Sequence, residues 1–180
     1  MFNYLQRLGK SLLLPIATLP ICAILLGVGY IMAPASMGAG GEMEGPIYLI
    51  GLFLTTAGGA LINNMGILFA IGVGVGMAKK NDGTAGVAAL VSWLVFTTVL
   101  SLDSANKIIN ISEIDAIAFK SIANPFIGIL AGLIGATCFN GLGWIRLPDF
   151  LAFFSGKRFV AIASTVISIV VTIALLWVWP

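Results

Sequence analysis

Glycines are the residues of this chain whose spacing most suggests a chemical role. The run at residues 63–83 reads NNMGILFAIGVGVGMAKKNDG. Glycines of this kind either cradle a nucleotide phosphate or let membrane helices pack closely. The run contains no GxGxxG, no GKS or GKT follows it, and a phosphate loop also needs a preceding strand. Gly72 and Gly76, like Gly128 and Gly132, instead put small residues on one helix face, which predicts close helix packing.

Two amides stand at the start of this run. Asn63 and Asn64 precede apolar residues, and an amide near a membrane span is costly unless it is hydrogen-bonded. In one interpretation the pair is structural: it marks a helix start, with Asn64 capping a helix that begins near Met65, or it forms hydrogen bonds between helices. In the other, the two amides line the path of a sugar, because amides hydrogen-bond sugar hydroxyls. The sequence leaves both interpretations open.

Groups for catalysis or metal binding do not gather anywhere in the sequence. The chain has no histidine, and Cys22 and Cys138 fall inside long apolar runs without CxxC spacing. No serine, cysteine or lysine therefore has a histidine base to activate it. All seven acids are predicted to lie in loops, away from the membrane interior: Glu42, Glu44, Asp82, Asp103, Glu113, Asp115 and Asp149. We predict no catalytic residue, no metal, no cofactor and no nucleic-acid partner.

The composition of the chain predicts that transmembrane helices carry these residues. Hydrophobic residues make up 59% of the 180 residues and charged residues only 9%, with a mean hydropathy of +1.10. A soluble domain has about 25% charged residues, so this chain is predicted to be an integral membrane protein. Five stretches lack charge and reach the roughly 20 residues of a transmembrane helix: 11–41, 45–78, 83–102, 121–144 and 159–180. We predict an all-α membrane bundle of five transmembrane helices plus short interfacial helices.

The second charge-free stretch decides the topology. It could be one span with an interfacial lead-in, or two spans that turn near Gly58 and Gly59. With five spans and a cytoplasmic N-terminus, seven basic residues lie inside and two outside, whereas six spans remove the bias. The inner residues are Arg7, Lys10, Lys79, Lys80, Arg146, Lys157 and Arg158, and the outer ones Lys107 and Lys120. We therefore predict five spans with the C-terminus outside, and residues 47–60 along the outer interface or leading obliquely into the second span.

Prolines and a short basic segment give further local predictions. Pro15 and Pro20 interrupt the first span and predict a kink, whereas Pro125 suits the first turn of the fourth span. The segment LPDFLAFFSGKRF at residues 147–159 predicts a short interfacial helix joined by a glycine to the fifth span. Lys157 and Arg158 are then a cytoplasmic anchor with snorkelling side chains, or part of an element that docks a cytoplasmic partner.

Several stretches resemble one family along nearly the whole chain. They are LQRLGKSLLLPIATLPICAILLGVG, GGALINNMGILFAIGVGVGMAKKNDGTAGVAALVSWLV, LPDFLAFFSGKRFVAI and the terminal WVWP. Together they resemble the membrane (IIC) component of the sugar phosphotransferase system, glucose superfamily. The motifs NNMGILFAIGV, LVSWLV and FFSGKRFVAI look most like its N-acetylglucosamine-specific members, with the glucose members close relatives.

The resemblance implies a role for the chain as part of a larger permease. In that family the first five of ten helices form a scaffold and much of a homodimer interface. The second half carries a sugar-site histidine and the glutamate of a G-I-T-E signature, and a IIB domain carries a phosphoryl-bearing cysteine. Residues 1–180 contain none of these, so the resemblance implies the N-terminal scaffold and dimerisation half, without the sugar-binding half or IIB. Whether the chain acts as an enzyme by itself is left open.

The implied function is a membrane subunit of a phosphoenolpyruvate-dependent sugar phosphotransferase permease in the bacterial cell membrane. The substrate expected from the motifs is N-acetylglucosamine, with glucose or another superfamily sugar as the alternative. Its expected partners are the lipid bilayer, a second copy, the IIB and IIA phosphoryl carriers and the sugar. A different class of function is a stand-alone membrane interaction protein that pairs with a full-length permease and modulates it.

Overall fold

A computed structural model describes residues 2–38, 44–80, 82–109 and 116–179. Throughout these ranges the regular structure is helical, without a strand, which confirms the all-α prediction. Two short 3₁₀ helices lie at Pro34–Met37 and Asp149–Phe154. The α-helices are α1 (Phe2–Ile16), α2 (Leu19–Met32), α3 (Pro46–Asn63), α4 (Met65–Met77), α5 (Gly83–Val99), α6 (Leu102–Ile109), α7 (Ala116–Lys120), α8 (Pro125–Leu142) and α9 (Lys157–Val178).

Four segments of the described chain are long and apolar enough to cross a membrane. They are the continuous stretch Phe2–Met32, which holds α1 and α2, and the helices α3, α8 and α9. A fifth is obtained if α5 and α6, which are bent by 63° at a short break, are one span. Four to five apolar helices of this kind confirm the predicted membrane bundle.

The second charge-free stretch differs from the prediction in its detail. It forms two helices that break at Asn64: α3 with 18 residues and the shorter α4 with 13. Residues 47–60, expected as a lead-in, are thus part of a helix long enough to span by itself. The alternative turn near Gly58 and Gly59 is wrong as well, because α3 runs through both. Hydropathy gave no warning of the break, since both flanks are apolar.

Three prolines lie at or close to helix ends, and the predicted interruption of the first span is present. The first span is interrupted between the end of α1 at Ile16 and the start of α2 at Leu19, and Thr18 Oγ1 donates to Pro15 O at 2.7 Å. Pro20 lies in the first turn of α2, where a missing N–H costs little. Pro125 begins α8, and the Oδ1 atom of Asn124 caps that helix by accepting from Ile127 N at 3.0 Å.

Acids and cysteines are placed mostly as expected. Cys22 in α2 and Cys138 in α8 are both buried inside apolar helices. Two acids correct the loop prediction: Asp103 lies in the first turn of α6 and Asp149 in the first turn of the 3₁₀ helix Asp149–Phe154, and a negative charge is favourable at a helix start. The predicted loop acids Glu42, Glu113 and Asp115 lie outside the described residues.

The chain divides into two compact units. One is Leu14–Met65, and the other is Met1–Leu13 together with Gly66–Pro180. In the unit Leu14–Met65, α2 packs against α3, and both helices have glycine at the contact. A Cβ on Gly51 would come within 2.8 Å of Ala33 Cβ, and one on Gly58 within 2.9 Å of Leu26 Cγ. A Cβ on Gly29 would lie 2.6 Å from Thr55 Cγ2. Small residues therefore bring these two helices close together.

The larger unit has its core among α5, α8 and α9. Small side chains line α5 at Ala85, Ala88 and Ala89, all fully buried. Larger side chains fill one end of this core, with Phe96 and Phe119 buried in a single apolar cluster that also includes residues of α8 and α9. At the C-terminal end of α9, Trp179 Nε1 donates to Ala118 O at 3.1 Å. This hydrogen bond links α7 to the C-terminal end of α9.

Candidate functional site

An open groove on the unit Leu14–Met65 holds one of the two predicted amides. Its volume is about 410 Å³, and Asn63 lies in its wall at the end of α3. The other lining residues come from α2, α3 and the short 3₁₀ helix between them: Tyr30, Ser36, Leu52, Thr55, Thr56, Gly59 and Ala60. Five side chains in this wall carry a hydroxyl or an amide, and none is charged.

Hydrogen bonds separate the roles of the two amides. Asn64 Nδ2 donates to Ala60 O at 2.8 Å, so the side chain satisfies a carbonyl at the end of α3 instead of capping the start of α4. The predicted cap at the N-terminus of α4 is therefore wrong, although α4 does begin at Met65. Among the described residues, none hydrogen-bonds the amide of Asn63. The structure thus places Asn63 in the groove wall and Asn64 outside it.

Groove hydroxyls are held in fixed positions by the backbone of the same unit. Thr55 Oγ1 and Thr56 Oγ1 both donate to Leu52 O, at 2.9 and 2.7 Å, and Ser36 Oγ donates to Ala33 O at 2.6 Å. A hydroxyl that donates in this way keeps its lone pairs as acceptors. The groove therefore offers neutral acceptors and an amide, which suits an uncharged, hydroxylated molecule better than an ion.

Glycines in the larger unit lie at very close contacts between helix backbones, and the sequence alone did not identify the contact partners. A Cβ on Gly128 in α8 would collide with the carbonyl oxygen of Gly66 in α4. A Cβ on Gly132 would lie 2.6 Å from Val73 Cβ, also in α4. Glycine at these positions therefore lets the backbones of α8 and α4 approach each other, and Gly66 is a contact partner that the sequence analysis missed.

The other predicted glycine pair does not face the first pair. A Cβ on Gly76 would lie 2.5 Å from Ser11 Oγ, so this glycine of α4 faces α1. Gly72 is half-buried in α4. A packing role for Gly135 of α8 was also not predicted. An added Cβ at this position would collide with the backbone of Ala89 in α5. The signal for Gly135 was present, because Gly128, Gly132 and Gly135 follow helical spacing.

The predicted anchor residues are both engaged with the protein. Lys157 Nζ forms an ion pair with Asp82 Oδ2 at 2.5 Å, which joins the start of α9 to the start of α5. Arg158 NH1 donates to Phe153 O at 3.1 Å, and its guanidinium carbon lies 4.5 Å from the centre of the Phe153 ring. Gly156, with φ of 67°, connects the short 3₁₀ helix to α9, as the sequence predicted.

Asp82 is strongly acidic because of these contacts. The hydrogen bond from Lys157 is the main cause, and the Thr84 N–H donates to Asp82 Oδ1 at 2.9 Å; together they lower the pKa of Asp82 from 3.8 to about 2. A carboxyl whose pKa is lower in the folded state stabilises the fold above its unfolded pKa. That contribution is lost as the pH falls through the folded value.

We expect the stability of the chain to fall between about pH 4 and pH 2 through this carboxyl. Asp82→Asn should be less stable than the unchanged chain above about pH 4, and the difference should disappear near pH 2. Thermal unfolding in detergent at a series of pH values measures it. Asp149→Asn is the control, because Asp149 makes no ion pair with the described residues. An equal offset between Asp82→Asn and the unchanged chain at all pH values would contradict the assignment.

Comparison with known proteins agrees with this helical membrane architecture. The family model described as "Phosphotransferase system, EIIC" matches residues 9–180. The chain belongs to the EIIC family of the phosphotransferase system. This EIIC chain resembles three curated relatives, each an EIICBA component, and the match covers all or nearly all of the chain in each case.

The relatives differ in the sugar that their names state. A glucose-specific component of Staphylococcus saprophyticus is 33% identical, over 100% of this chain and 28% of its own length. A glucoside-specific component of Staphylococcus carnosus is 35% identical, and the match covers 99% of this chain and 29% of the relative. An N-acetylglucosamine-specific component of Escherichia coli K12 is 35% identical, and the match covers 99% of this chain and 23% of the relative. The EIIC chain therefore spans about a quarter of the length of these relatives.

Proposed function

We propose that this EIIC chain forms the N-terminal scaffold and dimerisation half of a bacterial sugar permease. In the proposal, sugar uptake through the complete permease is coupled to phosphorylation of the sugar, with phosphoenolpyruvate as the original donor. The observation that carries it is the match of the EIIC family model over residues 9–180. The names of the relatives, each an EIICBA component for a sugar or a glucoside, support the same class of substrate.

The proposed sugar is N-acetylglucosamine, and glucose is the alternative. Sequence identity does not separate them, since it is 35% to the N-acetylglucosamine-specific relative and 33% to the glucose-specific one. The preference rests on the motifs NNMGILFAIGV, LVSWLV and FFSGKRFVAI. Both sugars are uncharged and rich in hydroxyl groups.

We place the groove of Asn63 beside the path of this sugar. Its wall has hydroxyl and amide groups and no charge, which fits a neutral polyol. The amide of Asn63, which no described residue hydrogen-bonds, can accept from one sugar hydroxyl and donate to another. Asn64 contributes indirectly in this proposal, because its hydrogen bond to Ala60 O fixes the end of α3 next to Asn63.

The proposed orientation puts the N-terminus and the Lys157–Asp82 ion pair on the cytoplasmic side and the C-terminus outside. The support is the excess of basic residues on the side of Arg7, Lys10, Lys79 and Lys80. IIB and IIA carriers would then meet the permease on the side where α9 begins. A second copy of the chain would complete the dimer proposed for the scaffold.

A chimera tests this function. The segment of the Escherichia coli N-acetylglucosamine-specific relative that aligns with this chain is replaced by residues 9–180, in cells that lack their own copy of the relative. We expect the chimera to take up radiolabelled N-acetylglucosamine, because the scaffold of one family member should support the rest of another. Asn63→Ala in the chimera should lower uptake, while Lys120→Ala, at an exposed residue of α7, should not.

Two outcomes count against the proposal. A chimera that reaches the membrane in normal amounts and transports no sugar contradicts the scaffold function. If, in addition, the 180-residue chain lowers uptake when it is expressed beside the intact relative, the modulating interaction protein becomes the better function. A chimera with the glucose-specific relative that is active when the first is not would move the substrate to glucose.

A further inference from the structure

A basic recess, unconnected with the sugar proposal, lies between α1 and the C-terminal end of α4. It has a volume of about 410 Å³ and is lined by Arg7, Lys10, Ser11, Gly76 and Lys79. Three of its five lining residues carry a positive charge, and none carries a negative one. Arg7 and Lys79 are 72 positions apart in the sequence, so only the fold brings them together.

The charge of this recess is not neutralised within the described part of the protein. The one ion pair there joins Lys157 to Asp82, and neither residue lines the recess. Lys80, the neighbour of Lys79, instead lies over the ring of Trp144, with Nζ 4.2 Å from the ring centre. Like charges placed together without a counter-charge repel each other, so an anion in the recess would be stabilised.

One of the three cations already has a structural task. Arg7 NH2 donates to Ala78 O at 3.2 Å and to Met77 O at 3.5 Å, which satisfies carbonyls at the end of α4. This contact fixes the position of the guanidinium, and its remaining N–H groups stay available as donors. Lys10 and Lys79 have no side-chain hydrogen bond to the described residues. Capping of α4 therefore accounts for Arg7 and leaves the two lysines unexplained.

A second, more apolar recess adjoins the first and shares Arg7 and Lys79 with it. Its volume is about 200 Å³, and its other lining residues are Tyr4, Met77, Ala136, Thr137 and Asn140. Asn140 is held rigidly there, since its Oδ1 accepts from Lys79 N at 2.8 Å and its Nδ2 donates to Met77 O at 3.1 Å. A site with a cationic half and an apolar half suits an amphiphile with an anionic head.

We propose that the basic recess binds a negatively charged phosphate group, and that its source is the head group of an anionic phospholipid. Cationic pockets between membrane helices bind such head groups when they lie at the membrane surface. Lys10, Lys79 and the free edge of Arg7 supply the donors for the phosphate oxygens. The neighbouring apolar recess takes the first part of the glycerol and acyl region, which a free phosphate ion would leave empty.

Native mass spectrometry of the purified chain in a neutral detergent tests the site. Phosphatidylglycerol is titrated against phosphatidylcholine, and inorganic phosphate is titrated separately. We expect the unchanged chain to prefer phosphatidylglycerol, and Lys10→Gln/Lys79→Gln to bind it about 30-fold more weakly, which corresponds to about 2 kcal/mol. Each single variant should lose about fivefold. Binding of phosphatidylcholine should not change.

Lys107→Gln/Lys120→Gln is the matched control, because it removes the same charge at exposed lysines outside the recess. Equal affinity for the two lipids, or an equal loss in the control, would overturn the proposal. So would unchanged phosphatidylglycerol binding in the recess variant, with circular dichroism showing the same helix content in all proteins. If inorganic phosphate displaces the lipid and itself requires Lys10 and Lys79, the phosphate site stands and the lipid is overturned as its source.

Discussion

Gly128→Leu is expected to cost this chain about 3 kcal/mol or more of its stability in detergent. The Cβ of any residue at this position would collide with the carbonyl oxygen of Gly66, and backbone cannot move aside as a side chain can. Overpacking in a tight interior typically costs about 1–3 kcal/mol, and a clash with backbone belongs at or above the top of that range. Thermal unfolding and the yield of monodisperse protein measure the loss.

Gly141→Leu is the matched control on the same helix. Nothing lies within 4 Å of a Cβ built at Gly141, and the position is exposed, so leucine there meets open space. Replacing glycine within a helix by a better helix former should leave stability unchanged or raise it slightly. If both variants unfold at the same temperature as the unchanged chain, α8 and α4 do not pack closely at Gly128.

Phe96→Ala is expected to cost about 3 kcal/mol. Phe96 is fully buried in the apolar cluster of α5, α8 and α9, together with Phe119. Truncation of a buried phenylalanine usually costs about 3–5 kcal/mol, part of it for transfer from water and part for the cavity. In a membrane protein the transfer part is small, because lipid is as apolar as the core, so the lower end of the range applies. Chemical denaturation in detergent measures the difference.

Leu94→Ala provides the comparison for Phe96→Ala. Leu94 lies in the same helix but is 52% exposed, so its truncation leaves no cavity. We expect a change of about 0.5 kcal/mol or less, as for most surface substitutions. A large loss in Leu94→Ala and none in Phe96→Ala would mean that α5 packs through the opposite face.

Residues that act through local chemistry were predictable from the sequence. Pro15 and Pro20 marked the interruption of the first span, and Pro125 marked the start of α8, because proline acts within one helical turn. The all-α membrane class followed from the scarcity of charge, since too few charged side chains exist to cover a surface in water. These signals do not depend on which helices are neighbours.

The helix boundary at Asn64 was only one of the alternatives that the sequence left open. Apolar residues flank it on both sides, and a single asparagine is compatible with a helix start, a helix end or an interior position. The hydrogen bond from Asn64 to Ala60 O selects the helix end, and hydropathy carries no information about it. A count of basic residues also cannot detect where an uncharged stretch is divided.

Pairings between distant parts of the chain were beyond the sequence for a different reason. Glycines at helical spacing predicted a close contact of α8, but they could not name Gly66 as the residue that Gly128 meets. Likewise, Lys157 was predicted to be an anchor, and its ion pair with Asp82 became evident only when α9 was placed beside α5. Helix faces can be read from periodicity, whereas the choice of partner requires the packed structure.

The shortness of α4 has a consequence for how it fits into a membrane. Its 13 residues are about 20 Å long, whereas the hydrocarbon layer is about 30 Å thick. If one end of α4 lies at a membrane surface, the other end is therefore about 10 Å short of the opposite surface. Backbone groups at such a depth need protein or water beside them. Close packing against α8 at Gly66 and Val73 supplies protein beside α4, so a helix too short to span the hydrocarbon layer is accommodated by its neighbours.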